Sequence, residues 1–309
     1  MSSLKLNIAF PFILIFFMYC NQKSTKTEYE SDTGTALENQ DEVAKDYSTI
    51  FNSENLLAWC IVPFDAKKRS PEERINMLNE LGFKSYAYDW RVEHLEEMAE
   101  EFKFASENGI EVKAVWLWID VNTDTPGKLS ESNEKMFSIV KDSGLQTQVW
   151  TGFSANYFEG LSDEEAVWKG TEMVEYLAGR IGEIGCHLAL YNHGDWFGEP
   201  ANQVKIIEKL PDYKIGIIYN FHHAHEQIDR LPEIINTMKP YLQVVNLNGM
   251  RKEGPKILTI GSGDQEKRMI DQFLEAGFEG PFGILGHIED ADVQMILEAN
   301  LKGLKSLYD

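Results

Sequence analysis

Of the seven histidines in this chain, five (His193, His222, His223, His225 and His287) follow short apolar runs in its second half. Imidazole titrates near neutrality, so these side chains can take or give a proton, and in the neutral form they ligate divalent metals. Amides and acids occupy the same neighbourhoods. Asn192 precedes His193, Asn220 lies two residues before the His222-His223 pair, and Asn246 and Asn248 lie in the run VVNLN. Asp89 and Asp120 end two earlier runs, and Trp90, Trp116, Trp118, Trp150 and Trp196 lie close by. Aromatic faces stack on the C–H faces of a sugar, while Asn, Asp and His direct hydrogen bonds to its hydroxyls. Each residue alone has a plainer reading. A Trp can be packing, Asn246 can satisfy backbone groups, and Asp89 or Asp120 can cap a helix. The conjunction is what points to a site.

The elements that must position these residues are legible as a repeat. Apolar, β-rich runs occur at residues 56–62, 84–88, 112–119, 146–150, 187–191, 215–220, 242–247 and 282–285. Most are continuous rather than alternating, the pattern of strands buried on both faces in a parallel sheet. Helical segments separate them. Ser70-Pro71-Glu72-Glu73 and Ser162-Asp163-Glu164-Glu165 are helix starts with a Ser cap and a Glu three residues on, and Asp264 is a candidate cap for the helix running to Ala276. Gly82, Gly109, Gly144, Gly185 and Gly277 each close a helical pattern ahead of a strand. Eight such units over about 260 residues predict a single (β/α)8 TIM barrel, typically ~250 residues long. An open doubly wound sheet would usually carry a glycine fingerprint after its first strand. The segment here is PFDAKKRSPEE, so no nucleotide cofactor is expected. Barrel active sites lie at the C-terminal strand ends, where the polar residues above fall. His222 and His223 are adjacent, so an extended strand would turn one of them inward; His223 is taken as that residue.

Composition narrows the function. The chain has 309 residues, 29 Lys+Arg and 50 Asp+Glu, a net charge of −21. Nucleic-acid binding needs a basic patch that displaces counterions, so nucleic acid is excluded as a partner. Residues 1–20 read as an export signal: Lys5, then an apolar run at 8–18, then Cys20 followed by Asn21-Gln22-Lys23. Cys20 is the expected lipidation site of a bacterial lipoprotein, although Tyr19 stands where a small residue is usual. The expected location is outside the cytoplasm, anchored to a membrane on the periplasmic or outer-membrane face. Residues 21–50 are polar and predict a flexible tether, with residues 51–309 as the barrel. Cys60 and Cys186 sit in apolar runs and are expected to be buried thiols.

The segments HLALYNHGDWFGEP, IGIIYNFHHAHEQIDRLPEII, VVNLNGM and PFGILGH, in that order, resemble the xylose-isomerase-like TIM barrels, a family of sugar phosphate isomerases and epimerases. The likeness is greatest to an exported lipoprotein subgroup and spans about residue 50 to the end. It implies a divalent metal (Mn, Co, Mg or Zn) held by Glu, Asp, His and Glu at strands five to eight. It also implies proton transfer beside a carbonyl. This chain departs at every implied ligand: Tyr191 or Asn192 at strand five, Asn220 at six, Asn246 at seven, and a position within Leu285-Gly286-His287 at eight. Asn is a weak neutral ligand. A rearranged site of His193, His223 and His287 would suit a softer ion such as Zn²⁺.

The expected function is therefore a sugar isomerase or epimerase-like enzyme acting on a small carbohydrate or keto-sugar. His193 or His223 would be the base, Asp89 would orient them or bind hydroxyls, and Glu199 is a candidate acid/base. Trp118, Asp120, Trp150, Asn192, Trp196, Asn220, Asn246 and Asn248 are candidate substrate contacts. The alternatives are a keto-sugar lyase or hydratase on the same site, or a non-catalytic sugar-binding lipoprotein that lost the metal. An enzyme is preferred, because an array of buried polar groups is costly unless used.

Overall fold

Residue type and the parallel pairing of each strand with the next shape the molecule. The computed structural model describes Tyr47 and residues 49–308. The signal segment, Cys20 and nearly all of the tether lie outside the described residues. Eight parallel strands close into one barrel in sequence order: β1 Leu56–Trp59, β2 Ser85–Tyr88, β3 Glu111–Ile119, β4 Gln148–Phe153, β5 His187–Tyr191, β6 Gly216–Asn220, β7 Leu242–Leu247 and β8 Phe282–Leu285, with β8 returning to β1. The helices α1 Pro71–Glu80, α2 Met98–Glu107, α3 Glu131–Asp142, α4 Asp163–Glu183, α5 Pro200–Ile207, α6 Leu231–Met238, α7 Glu266–Glu275 and α8 Val293–Tyr308 alternate with the strands. The chain is thus a single (β/α)8 barrel.

Local signals act where the sequence places them. Ser70 and Ser162 both form complete capping boxes, with Glu73 and Glu165 returning their carboxylates to the cap. Asp264 does not cap α7. The cap position is Gln265 and makes no side-chain cap bond, while the Asp264 carboxylate accepts from Lys252 N–H. The buried Glu266 carboxylate gathers the Gly261 and Gly263 N–H groups instead. Strand β1 is shorter than the apolar run predicts. Cys60 turns into the left-handed region at φ 57°, and the Ile61 and Val62 N–H groups leave the sheet for the Asp89 carboxylate. β4 runs later than predicted because its pairing continues along the long β3 to Ile119–Phe153.

Two apolar layers result. Outward-facing strand residues and the inner helix faces form the larger. Leu57, Trp59, Ala87, Ala114, Trp150, Ala189, Tyr191, Ile218, Val244 and Leu285 fill the barrel itself. Alanines on β2, β3 and β5 leave the volume that Trp59, Trp150 and Tyr191 occupy, the large-against-small filling a closed barrel requires. Gly152 serves the same end. A Cβ there would stand 2.7 Å from Trp116 Cη2 and 3.1 Å from Trp118 Cζ3, so only glycine lets both indoles lie across β4. Cys60 and Cys186 are buried free thiols.

Candidate active site

A cleft of about 550 Å³ opens at the C-terminal strand ends, within the ~300–1,000 Å³ usual for small-molecule sites. Trp59, Phe64, Trp90, Trp116, Trp118 and Tyr191 form much of its wall. Trp116 and Trp118 stack with centroids 6.0 Å apart, and Trp118 meets His193 edge-on at 4.7 Å.

Four imidazoles cross the cleft in a row. Ring centroids are 4.3 Å apart for His193 and His223, 4.3 Å for His223 and His222, and 5.3 Å for His222 and His287. His287 also packs on Phe64 at 3.7 Å. Both members of the His222-His223 pair line the cleft, against the expectation that only one would. The chain leaves the extended form at Asn220 and turns through a 3-10 segment, Phe221–His223, so the alternation of a strand no longer applies. Burial lowers the titration range of all four rings. His222 falls to about 4 and His223 to about 2, helped by their neighbouring imidazoles. Burial also lowers His193 and His287. At neutral pH the row is uncharged, and each ring offers one donor and one acceptor.

Two buried acids line the cleft, Asp89 and Asp124; the Asp124 carboxylate is occupied by the Asp120 and Ser130 N–H groups and the Asn133 amide, which leaves Asp89. In Asp89, Oδ1 accepts the Ile61 and Val62 N–H groups at 3.2 and 3.1 Å and the Cys60 thiol lies against the carboxyl, while the buried Oδ2 has no other partner among the described residues. Burial pushes it up to about 7, opposed by the Arg91 guanidinium. Arg91 is held by the carbonyls of Asp89 and Trp90 and lies over Phe64. Asp120 also lines the cleft and accepts from the Asn122 N–H and amide.

The barrel floor decides what strands five to seven present. Tyr191, not Asn192, points inward, and Trp59 Nε1 donates to its hydroxyl at 2.8 Å. Asn220 Nδ2 donates to the same oxygen, and the Asn220 Oδ1 accepts the His222 N–H. Asn246 adjoins Tyr191, and its amide oxygen packs directly over Gly283. Tyr, Asn and Asn thus stand where the resemblance implies Glu, Asp and His. The Asn220 NH2 faces the centre, so it brings hydrogens where a cation needs lone pairs. These residues do not fit a divalent metal. Nor do His193, His223 and His287 close into a trio, since His222 stands between the last two. Among the described residues no group of three or more His, Cys, Asp or Glu is placed to hold a metal ion.

Other sequence candidates lie away from the cleft. Trp150 is fully buried beneath it, its Nε1 bonded to Gln148, because β4 continues three residues past it. Trp196 packs on Phe158 and donates to Asp163. Asn192 ties β5 to β6 through both backbone groups of Asn220. Asn248 braces the carbonyls of Gly249 and Lys256. Glu199 pairs with Arg230 at 2.9 Å, outside the cleft. His193, His223, His287, Asp89, Trp118, Asp120 and Asn220 are brought together. Trp59 and Cys60 were missed as cleft residues, although Trp59 lies two residues after the inward Leu57 and shares its face.

No family model and no curated protein matches the chain. Solved structures do. The E. coli 3-keto-D-glucoside 4-epimerase YcjR matches at 15% identity and TM-score 0.59, over 82% of this chain and 98% of that one. A D-psicose 3-epimerase crystallised in the presence of D-fructose matches at 13% and 0.61, over 82% and 99%. The IolI protein, with a bound zinc atom, matches at 11% and 0.61, over 82% and 97%. The chain has the fold of the xylose isomerase-like TIM barrels. At these identities the likeness is one of fold. Within this fold, the chain carries an uncharged hydrogen-bonded floor and a row of imidazoles.

Proposed function

We propose that the chain is an enzyme of carbohydrate metabolism that moves a proton at the carbon beside a carbonyl of a sugar or keto-sugar, in an isomerisation or epimerisation. The observation that carries this reading is Asp89. Its buried Oδ2 has no hydrogen-bond partner among the described residues apart from the Cys60 thiol set against the carboxyl, which lines an aromatic-walled cleft and is pushed up to about 7. An acid poised near the working pH can both take a proton and return it. Trp116 and Trp118 would stack on the sugar face, and the neutral His193, His222, His223 and His287 would hold its hydroxyls. The ketone-bearing sugars in the names of YcjR and the psicose epimerase support this substrate class. The same first step opens a lyase or hydratase reaction, which the product distinguishes.

The test is hydrogen exchange. Keto-glucosides and free ketoses are incubated with the protein in D2O, and loss of the C–H signal beside the carbonyl is followed by NMR. The wild type should incorporate deuterium, and Asp89→Asn should be slower by about 10²–10⁴-fold. Saturable sugar binding without incorporation would instead make the chain a binder and sink the enzymatic reading.

We also propose that Cys20 carries a lipid anchoring the protein to a membrane outside the cytoplasm, on the strength of Lys5 and the apolar run at 8–18. Cys20→Ala should move the protein from the membrane to the soluble fraction.

A further inference from the structure

We propose that the Tyr191 hydroxyl is a catalytic electrophile: it donates its hydrogen bond to the substrate's carbonyl oxygen, the task a metal ion performs in the family this chain resembles. The inference rests on the activity proposed above and adds a residue to it.

Hydrogen-bond accounting at the barrel floor supports it. A phenolic oxygen has two lone pairs and one O–H. Trp59 Nε1 can only donate, and it donates to Tyr191. The Asn220 amide is oriented independently: its Oδ1 accepts the His222 N–H, so its NH2 must face Tyr191. Both lone pairs are thus engaged. The remaining O–H needs an acceptor. Asn246 comes close enough to the phenol to favour its ionised form against burial, as an amide N–H does, but neither amide atom makes a hydrogen bond of normal geometry among the described residues, and the amide oxygen, the one group there that could accept, is packed over Gly283. Tyr191 itself lines the cleft. The free O–H is therefore available to an oxygen seated there. Two N–H groups pulling on the phenolic oxygen polarise the O–H and strengthen it as a donor. Burial keeps the phenol protonated, so it arrives as a donor rather than an anion.

The step balances without a co-reactant. The Asp89 carboxylate takes the proton from the carbon beside the carbonyl. The C–H electron pair becomes the carbon–carbon double bond, and the carbonyl π pair moves onto oxygen. Tyr191 holds that oxygen by its O–H. Return of the proton to carbon completes the exchange. Rings that pack against Tyr191 at 5.0–6.2 Å (Trp59, Trp116, Trp150 and His223) fix the phenol in place.

Tyr191→Phe removes the hydroxyl and keeps the ring, with folding checked by circular dichroism. In the exchange assay kcat should fall by about 10²–10³-fold while KM changes by less than about threefold, the signature of a lost oxyanion donor. Mn²⁺ and Zn²⁺ titrations run alongside should show no stoichiometric site that depends on Tyr191. An unchanged exchange rate in Tyr191→Phe overturns the inference and leaves the activity standing. A metal bound by the wild type and lost in Tyr191→Phe or Asn220→Ala also overturns it. A wild type inert toward all the sugars removes the activity and this role together, so the wild-type result alone tells the two failures apart.

Discussion

Replacing Asp89 by Asn should make the fold sensitive to acid. In the folded chain this carboxyl is pushed from 3.8 to about 7 by burial. A carboxyl whose folded value lies above its unfolded one stabilises the fold at low pH, and that contribution is lost as pH rises through about 7. Between about pH 7.5 and pH 5 the folded Asp89 takes up a proton that the unfolded chain does not. Linkage converts this to about 2–3 kcal/mol gained on acidification. Burial pushes Glu101 in the same direction, but its buried ion pair with Arg74 opposes this, so Glu101 is left out of the sum. The imidazoles oppose Asp89. His222 and His223 have folded values of about 4 and about 2 against 6.5. Their contribution is present above about 6.5 and is lost as pH falls, by about 2 kcal/mol each at pH 5. The wild type should therefore show a shallow pH profile built from large opposing contributions. Asp89→Asn keeps the shape, retains an oxygen for the Ile61 and Val62 N–H groups, and deletes one proton uptake. Its stability should drop relative to wild type by about 2–3 kcal/mol between about pH 7.5 and pH 5. Urea unfolding at constant ionic strength, followed by tryptophan fluorescence, measures this. Equal m-values would confirm that the same surface is exposed. Parallel profiles for the two proteins would refute the buried, neutral-poised carboxyl and with it the argument for Asp89 as the acid/base.

Three further outcomes follow from the packing. Gly152→Ala places a methyl against Trp116 and Trp118; it should cost ~1–3 kcal/mol and weaken sugar binding, whereas unchanged melting and indole emission would count against the wall described. Arg74→Met leaves Glu101, its fully buried ion-pair partner, without a counter-charge. It should cost ~3–5 kcal/mol in thermal or urea unfolding, and adding Glu101→Leu should recover most of that; a double variant as unstable as the single would contradict the explanation. Glu199→Gln should leave exchange kinetics within about twofold, since Glu199 engages Arg230 and Gln227 outside the cleft; a tenfold fall in kcat would return it to the site.

Helix caps and strand composition were readable in the sequence because they depend on neighbours in the chain. Ser70 and Ser162 cap as their Glu partners three residues later require. The runs of β5, β7 and β8 start and stop where their apolar residues do. Asp264 failed as a cap because Glu266, drawn inward by the Gly261 and Gly263 N–H groups, sets the helix start from a tertiary contact.

The site divides along the same line. The sequence by itself determined that histidines, amides and tryptophans gather at the strand ends, because strand order in a barrel follows chain order. It also determined that Tyr191, Asn220 and Asn246 offer no carboxylate for a metal. Only the closed barrel decided which side chains meet. Trp150 lies under the floor because β4 runs past it, and Asn192 points into the β5–β6 seam while Tyr191 points to the centre. His222 and His223 share one cleft because the chain turns at Asn220, and Asp89 titrates near neutrality because the walls of the closed barrel exclude water from it. Side-chain direction at a strand end depends on where pairing with the neighbour stops, and desolvation depends on everything that surrounds a group; neither is a local property of sequence.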